Sequence, residues 1–99
     1  MDKEKVFETL KQNREELESR GVEKIGLFGS YVKGEENDSS DLDFLVVFKE
    51  NEKTYRNFMR LKRYLENLFN QEIDLATKNS LKPSIKEKVI GEVEYAETA

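Results

Sequence analysis

The sequence contains no cysteine and no histidine. Without cysteine, the chain can form neither a disulfide framework nor a thiolate-bound zinc site. Without histidine, imidazole metal ligands, a histidine general base and a serine–histidine hydrolase triad are all excluded. Any metal must therefore be held by oxygen ligands, which favours Mg²⁺ or Mn²⁺ over zinc.

Proline, glycine and long apolar runs are also scarce. One proline and five glycines in 99 residues, with no low-complexity tract, indicate a folded chain despite 38% charged residues. No segment approaches the roughly 20 apolar residues of a membrane span, and the charged residues 1–5 do not resemble a signal peptide. We therefore predict one globular domain over residues 1–99, in the cytoplasm and without a membrane partner.

The formal net charge is −4. It creates no overall field that would attract nucleic acid, so nucleic acid is not an expected partner. Basic residues are nevertheless concentrated on one predicted helix, at Arg56, Arg60, Lys62 and Arg63. Such a helix face is usually solvated, and the alternative is that it docks an acidic partner.

Apolar spacing predicts helices that alternate with strands, an αβαβαβα order. The predicted helices cover residues 3–19, 30–34 (one short turn), 53–70 and a last helix that opens at residues 82–84. The predicted strands cover residues 22–28, 42–48 and 72–76, with a polar loop at residues 35–40. Residues 92–99 are expected to add a short edge segment or to fray. This order predicts an α/β (α+β) fold in which helices cover a small sheet.

Local signals refine the ends of these elements. Gly21 is expected to end the first helix in a left-handed conformation. Pro83 is expected in the first turn of the last helix, where its missing N–H is tolerated. We predict that Ile85, Val89 and Ile90 form the apolar stripe of that helix.

Two acidic residues stand at the beginning of the most hydrophobic predicted strand. Asp41 and Asp43 are two positions apart, so their side chains point to the same face. Unpaired, the two carboxylates would repel each other, whereas a divalent cation would convert them into a ligand pair. The simpler alternative is that both are solvent-facing residues at a strand end.

A second motif, Gly29-Ser30, lies where the first predicted strand passes into a helical turn. A glycine there lets the backbone approach a ligand closely, and the N–H groups with the serine hydroxyl can hold phosphate oxygens. Ser30 could instead be a helix cap, and the neighbouring Tyr31 could stack on a base or pack in the core. The motif is not a Walker loop, because the glycine-rich run and its lysine are missing.

Asp74 is flanked by apolar residues on the third predicted strand. If that strand neighbours the second, Asp74 can converge on Asp41 and Asp43, and three carboxylates suit a two-metal site. Asp74 could instead form an ion pair with a lysine or arginine, and Glu72 could exchange roles with it.

Gly29-Ser30, ten intervening residues and Asp41-Leu42-Asp43 together resemble the signature of the DNA polymerase β-type nucleotidyltransferase superfamily. Within it, the run GSYVKGEENDSSDLDFLVVF is similar to the minimal nucleotidyltransferases, or MNT proteins. The resemblance extends through Ile73-Asp74-Leu75 to Lys82-Pro83. It departs at Val32-Lys33-Gly34, where these proteins commonly carry Ala-Arg-Gly, and lysine lacks the bidentate fork of arginine.

The resemblance implies a mixed sheet with flanking helices, Mg²⁺ (two ions) as cofactor and ATP as substrate. By position, Asp41 and Asp43 would be metal ligands. Asp74 would be the third carboxylate, acting as a base or as a metal ligand. Gly29 and Ser30 would hold the triphosphate.

The resemblance also implies a partner. Many MNT proteins are antitoxins encoded beside a HEPN-domain toxin, and can neutralise that toxin by transferring AMP to one of its tyrosines. We therefore expect Mg²⁺-dependent AMP transfer from ATP to a protein hydroxyl, and a hetero-oligomer with the toxin. The alternatives are an antitoxin that neutralises its partner by binding alone, and a small nucleotide-binding regulatory domain.

Overall fold

The computed structural model describes residues 2–34 and 42–96. In these residues, helices pack against a four-stranded sheet. The helices are α1 (Lys3–Gln12), α2 (Arg14–Ser19), α3 (Ser30–Lys33), α4 (Tyr55–Phe69), the 3₁₀ helix Lys78–Ser80 and α5 (Pro83–Glu92). The strands are β1 (Val22–Phe28), β2 (Leu42–Phe48), β3 (Ile73–Ala76) and β4 (Glu94–Tyr95). The predicted α+β class is confirmed.

The sheet has the strand order β3-β2-β1-β4. β1 pairs antiparallel with both β2 and β4, whereas β2 and β3 pair in parallel. The sheet is therefore mixed, as the family resemblance implied, and α4 supplies the crossover that a parallel pair requires. As a result, β1 ends at the same edge of the sheet at which β2 and β3 begin.

β2 is the central strand of the core. Leu42, Phe44 and Val46 are almost completely buried and belong to one core cluster beneath the helices. Leu45, which points to the other face, is also fully buried. The other members of the cluster are Val6, Leu10, Leu17, Val22, Ile25, Leu27, Tyr31, Leu61, Leu65, Phe69 and Ile73. β2 is thus covered on both faces, as its continuous apolar run predicted.

The prediction of one helix over residues 3–19 is wrong, because the helix breaks at Asn13. The Asn13 side-chain Nδ2 donates to the Thr9 carbonyl at 2.8 Å, and its Oδ1 accepts from the Tyr64 hydroxyl at 3.1 Å. An asparagine that bonds to the preceding turn and to another helix competes with regular helix geometry. α2 then ends as predicted, with Gly21 at φ +85°.

The predicted apolar stripe of α5 is also only partly correct. Val89 is buried, but Ile85 and Ile90 are 44% and 41% exposed. Burial along α5 follows one narrow line, Lys86, Val89 and Glu92, at three-residue intervals. Ile90 lies to one side of that line and Ile85 lies in the first turn, so neither is covered.

Residues 94 and 95 form a short edge strand, one of the two alternatives predicted for residues 92–99. Ala96 N–H donates to the Ile25 carbonyl at 2.9 Å, which extends the pairing of β4 with β1. Gly26 makes this approach possible, because an added Cβ would lie 2.8 Å from the Glu94 carbonyl oxygen. The pairing of β4 with β1 therefore requires a residue without a side chain at position 26.

The remaining elements differ from prediction by one or two residues at their ends. α4 begins after Thr54, whose hydroxyl accepts from Asn57 N–H at 3.1 Å, and ends at Asn70 in a left-handed conformation. Pro83 opens α5, as predicted. The 3₁₀ helix was not predicted, and the predicted loop 35–40 lies outside the described residues.

In the described ranges, no helix is long and apolar enough to cross a membrane. That residues 1–99 form one domain stays a prediction.

Candidate active site

The candidate active site lies at the edge of the sheet where β1 ends and where β2 and β3 begin. Phe28 of β1 is the register partner of Asp43 of β2, and Asp43 is in turn the partner of Asp74 of β3. Neighbouring strands are about 4.8 Å apart, so these residues form a row across the sheet. The adjacency that the sequence analysis required of Asp43 and Asp74 is therefore present.

The two carboxylates share one face of the sheet and differ in exposure. Register partners on paired strands point to the same side, and Asp43 alternates with the buried Leu42 and Phe44, so the acids face away from the helical core. Asp43 is half-buried, whereas Asp74 is exposed. Two neighbouring acids, one of them partly removed from water, favour a bound cation.

Gly29 brings the first motif into contact with the second. Its φ of +80° lies in the left-handed region that favours glycine. A Cβ added there would collide with Asp43 Oδ2 and would lie only 3.2 Å from Asp43 Cγ. Glycine is thus required twice at this position, by the backbone conformation and by the carboxylate beside it. The Gly29 backbone lies directly against the Asp43 side chain.

Glu92, which the sequence analysis missed, supplies a further carboxylate. It is the last residue of α5 and is half-buried, and its Oε1 accepts a hydrogen bond from Gly29 N–H at 3.3 Å. The two residues are 63 positions apart, and an acid at a helix end has no distinctive sequence pattern. Only the packing of α5 against the sheet reveals this contact.

The remaining predicted site residues are described only in part. Asp41 lies outside the described residues, as does the side chain of Ser30, which begins α3. Tyr31 is 5% exposed and belongs to the core cluster, so it packs in the core. Glu72 precedes β3 and is exposed.

Neither an ion pair nor a third acid accompanies Asp74 in the described residues. No lysine or arginine in the described part of the chain forms an ion pair with Asp74. Residues 2–34 and 42–96 contain no group of three acids that could hold a metal. Because Asp41 is outside this range, the predicted set of three carboxylates stays a prediction.

The donor groups that the structure brings together fit a hard divalent cation. Asp43 and Asp74 offer adjacent carboxylate oxygens, which are the ligands that Mg²⁺ prefers. Because Gly29 has no side chain, its backbone can lie close to anything bound at Asp43. A metal-bound phosphate at this edge of the sheet would lie close to the two carboxylates and to the Gly29 backbone.

Comparison with known proteins assigns the chain to one family. Residues 8–96 match the model of the Nucleotidyltransferase domain family. The chain belongs to this family and is a nucleotidyltransferase.

Individual relatives show which members of the family the chain is similar to. The chain is 43% identical over 93 residues to protein adenylyltransferase MntA of Thermococcus cleftensis, with 93% of each chain covered. A solved structure of a candidate minimal nucleotidyltransferase matches with a TM-score of 0.73 at 35% identity, covering 95% of each chain. A third match is a solved complex of a tri-AMPylated HEPN toxin from Shewanella oneidensis with an MNT antitoxin. Its TM-score is 0.57 at 17% identity, and the match covers 89% of this chain and 71% of that one. At this identity the likeness shows the fold alone.

Proposed function

We propose that this chain transfers AMP from Mg²⁺-ATP to a hydroxyl group of a protein partner, a tyrosine of a HEPN-domain toxin, and that it acts as the antitoxin. The observation that carries the proposal is the register pairing of Asp43 with Asp74 beside the Gly29 backbone. The name of the Thermococcus relative, a protein adenylyltransferase, supports the reaction class. The AMPylated HEPN toxin in the Shewanella complex supports the kind of acceptor.

At the α-phosphorus, the reaction forms one bond and breaks one. The acceptor oxygen attacks the α-phosphorus of ATP, the bond from that phosphorus to the bridging oxygen breaks, and pyrophosphate leaves with the electron pair. The hydroxyl proton passes to Asp74 or to water, and Asp74 is exposed and accessible for that role. Such transfer depends mainly on positioning and charge neutralisation, so a small domain without histidine can perform it.

Asp41, Asp43 and Asp74 would hold the Mg²⁺ ions. When bound, Mg²⁺ neutralises phosphate charge and lowers the pKa of an attacking hydroxyl. Asp43 contributes a carboxylate whose position is set by the two strands that flank it. Whether Asp74 completes the metal site or accepts the proton, its register position places it beside Asp43.

Gly29 and Ser30 would hold the triphosphate. The Gly29 N–H now donates to the Glu92 carboxylate, and a phosphate oxygen is an acceptor of the same kind and charge. The triphosphate would therefore replace Glu92 at this N–H when the nucleotide binds. A side chain at residue 29 would disturb this place, because an added Cβ would collide with the Asp43 carboxylate beside the N–H.

The test of this proposal is Asp43→Asn, which keeps the size of the side chain and removes its charge. Purified protein is incubated with Mg²⁺ and ATP labelled at the α-phosphate, together with a HEPN-domain protein encoded beside it. We expect label transfer to fall by at least about 100-fold, because a lost metal ligand costs several kcal/mol of transition-state stabilisation. Circular dichroism checks that the variant is folded.

Glu72→Gln is the matched control, since Glu72 lies two residues before Asp74 but outside β3. It should retain transfer, whereas Asp74→Asn should lose it. Undiminished transfer by Asp43→Asn would overturn the proposal. Full protection of cells by an inactive Asp43→Asn variant would show that binding alone neutralises the partner.

A further inference from the structure

The helical layer contains a groove that the proposed reaction does not use. It lies between α2 and α4 and has a volume of about 520 Å³. We call it the arginine groove, and define it by Arg20, Arg60, Arg63 and Tyr64, which are among the residues that line it. Leu17 of α2 and Leu65 of α4 belong to the core beneath it. The groove is therefore on the outer side of the helices.

Fixed contacts hold the floor of the groove. The Tyr64 hydroxyl donates to Asn13 Oδ1 at 3.1 Å. The Arg20 guanidinium lies 4.0 Å from the centre of the Tyr64 ring, and its Nη1 is 2.7 Å from Glu16 Oε2. Burial raises the pKa of Tyr64 more than the nearby Arg20 charge lowers it, so the phenol stays neutral at physiological pH. The floor is thus ordered before any partner binds.

The rim of the groove carries positive charge that forms no ion pair with the described part of the chain. Arg60 and Arg63 are exposed, and neither forms an ion pair with any residue that the structure describes. Arg56 continues the same line along α4, because positions 56, 60 and 63 share one helix face. Lys62, the fourth basic residue of the predicted helix, lies off this line. A chain of net charge −4 therefore concentrates arginine on one strip of its surface.

We propose that the arginine groove docks an acidic polypeptide segment, whose carboxylates pair with Arg60 and Arg63. The planar guanidinium fork can bind a carboxylate with two parallel hydrogen bonds, which a lysine cannot do. Because Arg20 and Glu16 already neutralise each other, the open positions are those of the two rim arginines. The occupant is thus a protein segment with closely spaced acids, such as one face of a helix.

The same contacts argue against single-stranded nucleic acid as the occupant. Nucleic acids bind such grooves by stacking bases on open aromatic rings, whereas Arg20 already covers the face of Tyr64. Carboxylates on a folded segment place fewer charges close together and need no open ring.

The arginine groove and the candidate active site lie on different surfaces of the protein. Asp43 and Asp74 lie on the face of the sheet that points away from α2 and α4, whereas the groove lies on the outer surface of these two helices. A segment docked in the groove therefore leaves the candidate active site open. The proposal does not depend on the proposed function, because it rests on α2 and α4 alone.

The test uses a fluorescein-labelled, alanine-based helical peptide with glutamates at i and i+4, and the same peptide with glutamines as the comparison. Binding to the full chain is followed by fluorescence anisotropy at low salt. We expect the glutamate peptide to bind and the Arg60→Gln/Arg63→Gln variant to bind it about tenfold more weakly, since each exposed pair contributes modestly. The charge-preserving Arg60→Lys/Arg63→Lys variant should lose about threefold, because it lacks the fork.

The matched control is Lys53→Gln/Lys88→Gln, which removes two exposed charges outside the groove. We expect it to change peptide affinity by less than about twofold, because exposed charges act only over short distances in salt. Equal weakening in both double variants would overturn the proposal. So would tighter binding of an RNA oligonucleotide than of the peptide, or no difference between the glutamate and glutamine peptides.

Discussion

The candidate active site and the arginine groove both concentrate charge of one sign, but different parts of the chain hold that charge in place. At the sheet edge, the register of the strands sets the acids side by side, and Gly29 lies against one of them. In the groove, the rim residues Arg60 and Arg63 project from α4 on long side chains and are exposed. The backbone pairing of two strands therefore fixes the positions of the acids, whereas the positions of the rim arginines depend on the conformations of their own long side chains.

This difference predicts different sensitivity to substitution. A change at the sheet edge must move backbone or leave a half-buried carboxylate in the wrong place, so its effect should be large and local. A change on the rim of the groove should alter affinity gradually, because exposed ion pairs are weak and screened by salt.

Gly29→Ala should have the largest effect at the sheet edge. The new Cβ collides with the Asp43 carboxylate, so either the loop or the acid must move. A displacement of about 1 Å can lower a rate by about 100-fold, and a positive φ at alanine costs roughly 1–2 kcal/mol of stability. Label transfer from ATP and thermal unfolding measure the two effects separately.

Gly34→Ala is the control for backbone strain. Gly34 has a φ of +73°, close to that of Gly29, but an added Cβ would meet no atom of the described residues within 4 Å. It should lose similar stability and keep transfer. If both variants lost transfer equally, strain in the turn would explain the result, and the contact with Asp43 would not.

Glu92→Gln should have a smaller effect than Gly29→Ala, and it should strengthen nucleotide binding where Gly29→Ala impairs activity. Glutamine can still accept from Gly29 N–H, but it removes a negative charge from the place proposed for the triphosphate. We expect Mg²⁺-ATP to bind about fivefold more tightly, which corresponds to about 1 kcal/mol of repulsion between close charges in water. Titration with a fluorescent ATP analogue at two salt concentrations measures this change.

Glu94→Gln provides the comparison, because Glu94 is exposed and pairs with Lys3 at 3.3 Å on the surface. It should leave nucleotide affinity unchanged. Weaker nucleotide binding by Glu92→Gln would mean that the carboxylate helps to hold the metal, contrary to the repulsion predicted here.

Tyr64→Phe should have the smallest effect, in the floor of the groove. It removes the hydrogen bond to Asn13, and we expect a loss of about 0.5–1.5 kcal/mol in the free energy of unfolding. Denaturant unfolding near neutral pH measures this loss, with Tyr55→Phe as control, since Tyr55 is 81% exposed.

The effect of Tyr64→Phe should also depend on pH. The folded protein raises the pKa of Tyr64 above the ordinary value of 10.0, so the unfolded state ionises first. This contribution to stability is present below pH 10.0 and is lost as the pH rises through the folded pKa. The gap between wild type and variant should therefore narrow above pH 10.0, and a gap that widens would contradict the assigned shift.

Some features of this protein could be predicted from local pattern alone. The apolar run of β2, the alternation of helices and strands, the left-handed Gly21 and the position of Pro83 all follow from neighbouring residues. The absence of histidine and cysteine restricted metal ligands to oxygen, and the spacing of Gly29-Ser30 from Asp41-Leu42-Asp43 indicated the family. These features depend on short-range geometry, which the order of residues states directly.

Other features depended on contacts between distant segments. The break at Asn13 needs Tyr64 from another helix, and the exposure of Ile85 and Ile90 depends on the single line along which α5 packs. Periodicity cannot foresee such contacts, because it describes one element at a time.

The sequence by itself determined the chemistry of the candidate site: carboxylates, a glycine turn and the family to which they belong. Only the tertiary structure decided that Asp74 stands in register with Asp43, that Gly29 lies against Asp43, and that Glu92 reaches the Gly29 N–H. The physical reason is that residue types carry chemical properties, whereas strand order and register decide which of them meet.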